Sequence, residues 1–315
     1  MSTKGLTDIP GILVGHASDY DGLTGCTVVL FAGGAVGGVD IRGSATGTEE
    51  LDLLNPLHLT ERVHAVVLAG GSAFGLEAAS GVRRYLEHKG IGYETGAAKV
   101  PLVPAAILYD LAIGKASARP SREMGEVAAG AASSAAVPEG AVGAGTGATV
   151  GKLLGMDHAM KSGLGTATVE MPGGVLVSAL AAVNALGDVI DPKTGRVVAG
   201  TRTARDSMEF ANSASILEQR GGAHNTTLVV VATNARLNKV GATKLAQFGS
   251  LGVARTIAPV WTTFDGDITF AFSCGTLDAD LNALGVAAAE AVSQAILRAV
   301  RLAPSLGGLP GLAGR

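Results

Sequence analysis

Arg-Gly-Gly-Ala-His-Asn (220–225) runs straight into Thr-Thr-Leu-Val-Val-Val-Ala-Thr (226–233). The first half is polar and glycine-rich, which suits a turn. The second half is apolar and β-branched, and it reads as a strand covered on both faces. A hydroxyl residue therefore stands at the first position of a buried strand. Two readings of this junction are open. One is a turn that feeds a buried strand. The other is a self-cleaving peptide bond, in which the Thr226 hydroxyl attacks the Asn225 carbonyl and the resulting ester hydrolyses. That frees a new chain start at Thr226, whose α-amino group has an ordinary pKa of about 7.7–8.0. One residue then supplies both nucleophile and base, and the stiff χ1 of threonine holds the oxygen in place.

Working outward, similar strand-like runs occur at 27–31, 64–68, 166–170, 175–182 and 268–273. Helical periodicity predicts helices over 75–88, 104–113, 124–136, 203–219, 240–250 and 281–301. Thr203 and Asp206 resemble a capping box, Gly90 a helix C-terminal cap, and 191–195 a turn between strands. The tail from 303 to 315 reads as a poorly ordered end. Several strands are apolar on both sides, so the expected class is a layered α/β or α+β domain with helix-covered sheets.

The composition narrows the function classes. The 315 residues include 46 glycines, and only 16% are charged, against about 7% Gly and about 25% charged in an average domain. This balance excludes a disordered chain, and the glycines have no three-residue period, which excludes collagen. The best membrane-span candidate, 173–187, is short and carries Ser178 and Asn184. A net charge of −3, no basic stretch and 4% aromatics argue against nucleic acid as a partner. Cys26 and Cys274 read as free thiols of a cytosolic protein, although counting leaves a disulfide open. The start, MSTKGLTDIPG, has no apolar signal region, so a cytoplasmic location is expected. The histidines are scattered in no metal-ligand spacing. Gly70-Gly-Ser-Ala-Phe-Gly75 departs from a nucleophile elbow at Phe74, and Ser72 reads instead as a helix N-cap. Gly151-Lys152 lacks the rest of a phosphate loop.

Several segments together resemble the DmpA-type family of self-processing N-terminal-nucleophile hydrolases. They are Ile-Pro-Gly-Ile-Leu-Val-Gly (9–15), Arg-Gly-Ser…Thr-Gly-Thr-Glu-Glu (42–50), Val-Leu-Ala-Gly-Gly-Ser-Ala-Phe-Gly-Leu-Glu-Ala (67–78), Val-Pro-Ala-Ala-Ile-Leu-Tyr-Asp (103–110) and Asn-Thr-Thr-Leu-Val-Val-Val-Ala-Thr-Asn (225–234). The family includes L-aminopeptidase/D-esterases, β-aminopeptidases and the nylon-oligomer (6-aminohexanoate oligomer) endo-hydrolases. The resemblance covers about residues 6–301. It implies an α+β fold, a four-layer αββα sandwich, in one domain of 315 residues. It also implies autocleavage between Asn225 and Thr226 into an α chain of 1–225 and a β chain of 226–315.

By the same resemblance Thr226 is the nucleophile. Phe-Asp-Gly-Asp-Ile (264–268) is, on its own, a hairpin signal. In the nylon-oligomer branch a similar Asp-Gly-Asp is catalytic, and Asp265 and Asp267 match its two carboxylates, which orient the Thr amine and hydroxyl. Asn184, otherwise a turn former, matches the oxyanion donor at a strand end. Lys152, otherwise a surface lysine, matches a catalytic lysine that supplies positive charge near the oxyanion or lowers the amine's pKa. Tyr109, otherwise a helix core residue, matches a substrate-pocket tyrosine. The resemblance implies no metal or organic cofactor, a small-molecule or peptide amide as substrate, and homotetramers of α/β units. An acyltransferase of the ornithine acetyltransferase type is the alternative, because it shares the fold and a self-cleaving threonine.

Overall fold

The computed structural model describes residues 5–219 and 225–314, so the polar run at 220–224 lies outside the described residues. The strands begin with β1 (Ile12–Asp19), β2 (Thr24–Ile41), β3 (Gly47–Glu49), β4 (Arg62–Ala69), β5 (Tyr93–Glu94), β6 (Lys99–Val100), β7 (Ala105–Ile107) and β8 (Thr149–Val150). They continue with β9 (Met160–Lys161), β10 (Leu164–Met171), β11 (Val175–Asn184), β12 (Asp188–Ile190), β13 (Val197–Ala199), β14 (Thr226–Ala235), β15 (Ile257–Ala258) and β16 (Ile268–Leu277). The α-helices are α1 (Glu77–His88), α2 (Arg122–Gly130), α3 (Ser213–Gln219), α4 (Lys239–Thr256) and α5 (Leu281–Arg301).

The long strand β2 organises the molecule. Its register with β4 breaks between Leu30 and Ala35. The part before the break pairs with β1 and β4; after it Ala35 and Val36 still meet β4, and the strand from Val36 to Ile41 pairs with β16. One hydrogen-bonded sheet is thereby folded into two stacked layers. The first layer holds β10, β11, β14, β16 and the end of β2; the second holds β1, the start of β2, β4, β7 and β3.

Side-chain alternation then sorts the core. Leu228, Val230 and Ala232 of β14 and Phe270 and Phe272 of β16 meet Val29, Phe31, Val66 and Leu68 between the layers. Phe31 and Phe272 join the two layers with ring centroids 4.5 Å apart; truncating a buried aromatic of this kind costs about 3–5 kcal/mol. The alternate residues Val229 and Val231 face α4 and α5, against Leu245, Val253, Val292 and Ile296. On the far side, Val28, Leu30, Ala65 and Val67 pack on Ala78, Val82 and Leu86 of α1 and Ala128 of α2. The order is helix, sheet, sheet, helix, as the four-layer expectation has it.

Part of the glycine excess is spent on close layer contacts. A Cβ on Gly81 would strike the Arg122 carbonyl, and one on Gly125 the Ala78 carbonyl, so α1 and α2 touch backbone to backbone.

Several sequence expectations need correction. Residues 104–113 form β7 and a loop rather than a helix; the run is short and apolar, and periodicity cannot separate helix from buried strand there. The helix over 203–219 shrinks to α3, because Arg202 turns inward and donates to the carbonyls of Asp157, Arg205 and Ser207. Helix α2 ends at Gly130 instead of 136. The tail is ordered as far as it is described, with Leu309 packed on Leu23 and Ile113 and the Pro310 carbonyl accepting from Lys161 N. The Asp-Gly at 265–266 makes no hairpin; it leads into β16, while β15 before it pairs with β12. The most apolar long segment is α5 rather than 173–187, and two-thirds of its apolar window is buried in the protein. The cysteines are free, with Cys26 buried.

Candidate active site

The junction lies where β11 and β14 pair. Asn184, the last residue of β11, is the register partner of Thr226, the first of β14. Both are buried, and this antiparallel pairing alone sets the Asn184 amide beside the threonine. The chain is continuous from Asn225 to Thr226, and the Thr226 Oγ1 donates to the Asn225 carbonyl oxygen at 2.6 Å. The same oxygen accepts the Gly266 N–H at 2.7 Å. Two donors thus converge on the Asn225 carbonyl, one of them the hydroxyl of the residue that follows it.

Gly266 belongs to the loop that carries the two carboxylates. Asn225 N donates to the Phe264 carbonyl at 3.2 Å, so loop and junction run side by side. The Asp267 carboxylate accepts the Thr227 N–H at 2.5 Å. Asp265 accepts the Thr262 N–H and hydroxyl at 2.7 and 2.8 Å. The segment 42–45 supports this loop from below: Arg42 and Gly43 donate to the Asp267 carbonyl, and Ala45 donates to the Asp265 carbonyl. A Cβ on Gly43 would collide with Asp265 and Asp267 backbone.

Lys152 approaches from the opposite side. Its Nζ donates to the Asn184 Oδ1 at 2.7 Å and to the Asn184 carbonyl at 3.1 Å. Asn184 Oδ1 also accepts the Thr149 N–H, and Asn184 Nδ2 donates to the Tyr109 carbonyl at 2.9 Å. The Asn184 amide is therefore held by three neighbours at once. Lys152 keeps part of its stem exposed, but its charged end is turned inward.

Burial dominates the electrostatics. Desolvation pulls the Lys152 ammonium down to about 7, opposed chiefly by Asp265. Desolvation and the neighbouring Asp265 push the Asp267 carboxyl up to about 7, and Asp265 is raised by burial as well. Both lysine and carboxylate are thus poised to exchange protons near neutrality.

Two further charged residues belong to this cluster and were not singled out from the sequence. Lys161 is fully buried, and its Nζ donates to the carbonyls of Gly145, Ala148 and Ser162. It sits on β9 opposite Thr149 and fastens the loop that delivers Lys152. Burial lowers its pKa to about 7 as well. Asp110 accepts the Gly71 N–H at 2.6 Å and the Thr24 hydroxyl at 2.8 Å, and burial raises its pKa. Its one sequence signal was its place beside Tyr109; Lys161 had none, since a lysine in Met-Lys-Ser-Gly reads as solvated.

Two cavities flank the junction. One of about 240 Å3 is lined by Tyr109, Asp110, Ile113, Thr149, Lys152, Met156 and Asn225. The other, of about 360 Å3, is lined by Ala45, Ser72, Ile107, Tyr109, Asn225 and Thr226. Tyr109 and Asn225 line both, with Tyr109 on a loop and 36% exposed, so it is not a helix core residue. Larger surface clefts, of about 820 and 630 Å3, lie among other residues. All seven residues singled out from the sequence (Tyr109, Lys152, Asn184, Asn225, Thr226, Asp265 and Asp267) therefore come together in one place. Ser72 is not a cap: Gly71 holds the N-cap position, and no side-chain cap bond forms.

The comparisons with known proteins show the family and the fold. The model of peptidase family S58 matches residues 4–313. An uncharacterized aminopeptidase of Mycobacterium leprae is 38% identical over 97% of this chain and 92% of its own. A 6-aminohexanoate-oligomer endohydrolase of Kocuria sp. (strain KY2) is 32% identical over 93% of this chain and 85% of its own. Among solved structures, the L-aminopeptidase D-Ala-esterase/amidase of Ochrobactrum anthropi, described as a variant of the Ntn hydrolase fold, superposes with a TM-score of 0.73. It is 20% identical and covers 98% of this chain and 88% of its own. A Burkholderia sp. β-aminopeptidase gives 0.71 at 23% identity, over 98% of this chain and 91% of its own.

Proposed function

This chain belongs to peptidase family S58 and is an amide hydrolase of the N-terminal-nucleophile fold, and from that premise we propose that Thr226 is both its self-processing residue and its nucleophile. The observation that carries the proposal is the pair of donors on the Asn225 carbonyl, Thr226 Oγ1 at 2.6 Å and Gly266 N at 2.7 Å. In processing, the Thr226 oxygen adds to the Asn225 carbonyl carbon while its proton passes to a carboxylate of the Asp265–Asp267 pair. The negative charge that develops on the carbonyl oxygen is received by the Gly266 N–H. Collapse breaks the Asn225–Thr226 C–N bond as the carboxyl returns that proton to the leaving nitrogen, and an ester remains on Thr226. Water then hydrolyses the ester, giving an Asn225 carboxylate and a free Thr226 amine.

In turnover the freed amine takes the proton from Thr226 Oγ1 as that oxygen attacks a substrate amide. Asn184 and Lys152 face the resulting oxyanion, and Asp265 and Asp267 hold the Thr226 ammonium when it forms. The Thr226 ammonium returns its proton to the leaving amine as the substrate C–N bond breaks, and water then adds to the ester and releases the acyl group as a carboxylic acid. The chain is read as one domain cut into 1–225 and 226–315, and its substrates as linear amides or small peptides, with 6-aminohexanoate oligomers among them. Assembly of the processed units into homotetramers is part of the same reading. A cytoplasmic location completes the reading.

The test is a denaturing gel with intact-mass analysis, followed by turnover of an α-peptide amide, a β-alanyl amide and a 6-aminohexanoate oligomer. The wild-type protein yields two chains, the second beginning at Thr226, and hydrolyses at least one of the three. Thr226→Ala remains full length and loses activity by at least about 10³-fold. A Thr226→Ala protein that still splits after Asn225 overturns the assignment.

A further inference from the structure

Trp261 is the only tryptophan of the chain, and it lies just before Asp265, outside the segments that carry the family resemblance. Its φ is +57°, in the left-handed region. A bulky residue is rarely found there, because its Cβ crowds the following carbonyl. Strain of this kind persists only where the neighbouring structure enforces it. Here the Arg42 guanidinium lies over the indole, 5.3 Å from the ring centroid, and pairs with Asp40 at 2.7 Å. The main chain of Arg42 donates to the Asp267 carbonyl at 3.1 Å. The ring is thus covered by the same residue that supports the carboxylate loop.

A left-handed residue lets successive main-chain N–H groups face one side and form an anion-binding nest. Two successive groups of this kind act here on two different carboxylates. The Thr262 N–H donates to Asp265 Oδ2 at 2.7 Å, joined by the Thr262 hydroxyl at 2.8 Å. The Trp261 N–H favours the charged form of Asp267, together with the Thr227 N–H, which donates to Asp267 Oδ1 at 2.5 Å. Asp265 N donates back to the Thr262 carbonyl at 3.1 Å and closes the turn. Both carboxylates are buried, each acts on the other, and Lys152 is the cation that faces them. Burial and mutual repulsion favour the neutral acids, and the main-chain donors oppose that. We infer that Trp261 is a positioning residue, whose left-handed backbone aims the N–H groups of residues 261 and 262 at Asp267 and Asp265 and keeps that pair able to take the Thr226 proton. The inference rests on the reading of Thr226 as the self-processing nucleophile.

The experiment follows processing of the freshly synthesised full-length chain on a denaturing gel, in buffers spanning about pH 5–9. Trp261→Val and Trp261→Ala remove the ring and leave a Cβ that disfavours a left-handed backbone. Trp261→Gly and Trp261→Asn also remove the ring but adopt that backbone readily. All four lose the Arg42 contact alike, so a difference between the two pairs reports the backbone. The Val and Ala variants are expected to shift the acid limb of the rate profile up by about one pH unit, because the charged carboxylates lose donors. Their processing is then about 10-fold slower at the acid end and converges with the wild type at the alkaline end. The Gly and Asn variants are expected to keep the wild-type midpoint. Val and Ala profiles lowered evenly at every pH overturn the inference, by showing a structural role. A Gly or Asn midpoint that moves with theirs also overturns it, by assigning the effect to the ring. If the Val variant does not fold, the Ala variant decides. Val and Ala profiles that match the wild type overturn the inference alone, whereas a wild-type chain that never yields a start at Thr226 overturns the nucleophile reading and the inference with it.

Discussion

Asp267 and Lys152 carry opposite charges when ionised, yet burial brings both toward a pKa of about 7. The consequences for the uncleaved chain have opposite signs. The Asp267 pKa is raised on folding from 3.8, so its contribution to stability is full below about pH 4 and is lost as pH rises toward 7. The Lys152 pKa is lowered from 10.5, so the folded state is penalised below pH 7 and regains stability between 7 and about 10.5. Urea unfolding of the Thr226→Ala precursor is therefore expected to show a dip near neutral pH, with each limb on the order of a few kcal/mol. Adding Asp267→Asn should reduce the acid limb without abolishing it, because burial raises Asp265 and Asp110 as well. Adding Lys152→Met should roughly halve the alkaline one, because Lys161 titrates in the same range. Equal pH dependence in all three proteins would show that these groups are solvated. The proposed cut would place a new Thr226 ammonium beside Asp267, and in the cut protein the acid limb should shrink without any substitution.

At the scale of elements, the site is made by backbone pairing of segments distant in sequence. The loop 264–267 is fixed by Asn225 on one side and by 42–45 on the other. Gly43→Ala should push that loop away from the Asn225 carbonyl, since the obstructing atoms are backbone and cannot swing aside. Its processing, followed as the rate at which two bands replace one, should slow at least about 10-fold, the equivalent of losing roughly 1.4 kcal/mol of oxyanion stabilisation. Normal processing would mean that the Gly266 N–H is dispensable. Legibility from sequence varied with element type. Helix α5 and strand β14 were readable because their periodicity is long and unmixed. Residues 104–113 were not, because a buried run next to a parallel strand looks the same as a buried helix. The 203–212 stretch followed its neighbours rather than its own pattern, since Arg202 claims the carbonyls that a helix would use.

For the molecule as a whole, the proposed cut separates strands that remain interleaved. β14, from the second fragment, pairs with β11 of the first, and β16 pairs with β2 of the first. Helices α4 and α5 close over strands from both fragments. The processed halves should therefore co-elute on native size exclusion and unfold in one transition. Separation without denaturant would contradict a single shared core.

The composition and the local patterns determined a low-charge, helix-covered α+β chain, and the family resemblance supplied the residues proposed for its site, because both are written in residue type along the sequence. Which of those residues touch was decided by the tertiary structure. The Asn184–Thr226 register, the Gly266 donor, the inward turn of Lys152 and the burial of Lys161 and Asp110 all depend on how β2 folds one sheet into two layers. The scarce charges are chemically useful because that stacking removes them from water, and desolvation is a property of the packed molecule rather than of any segment of sequence.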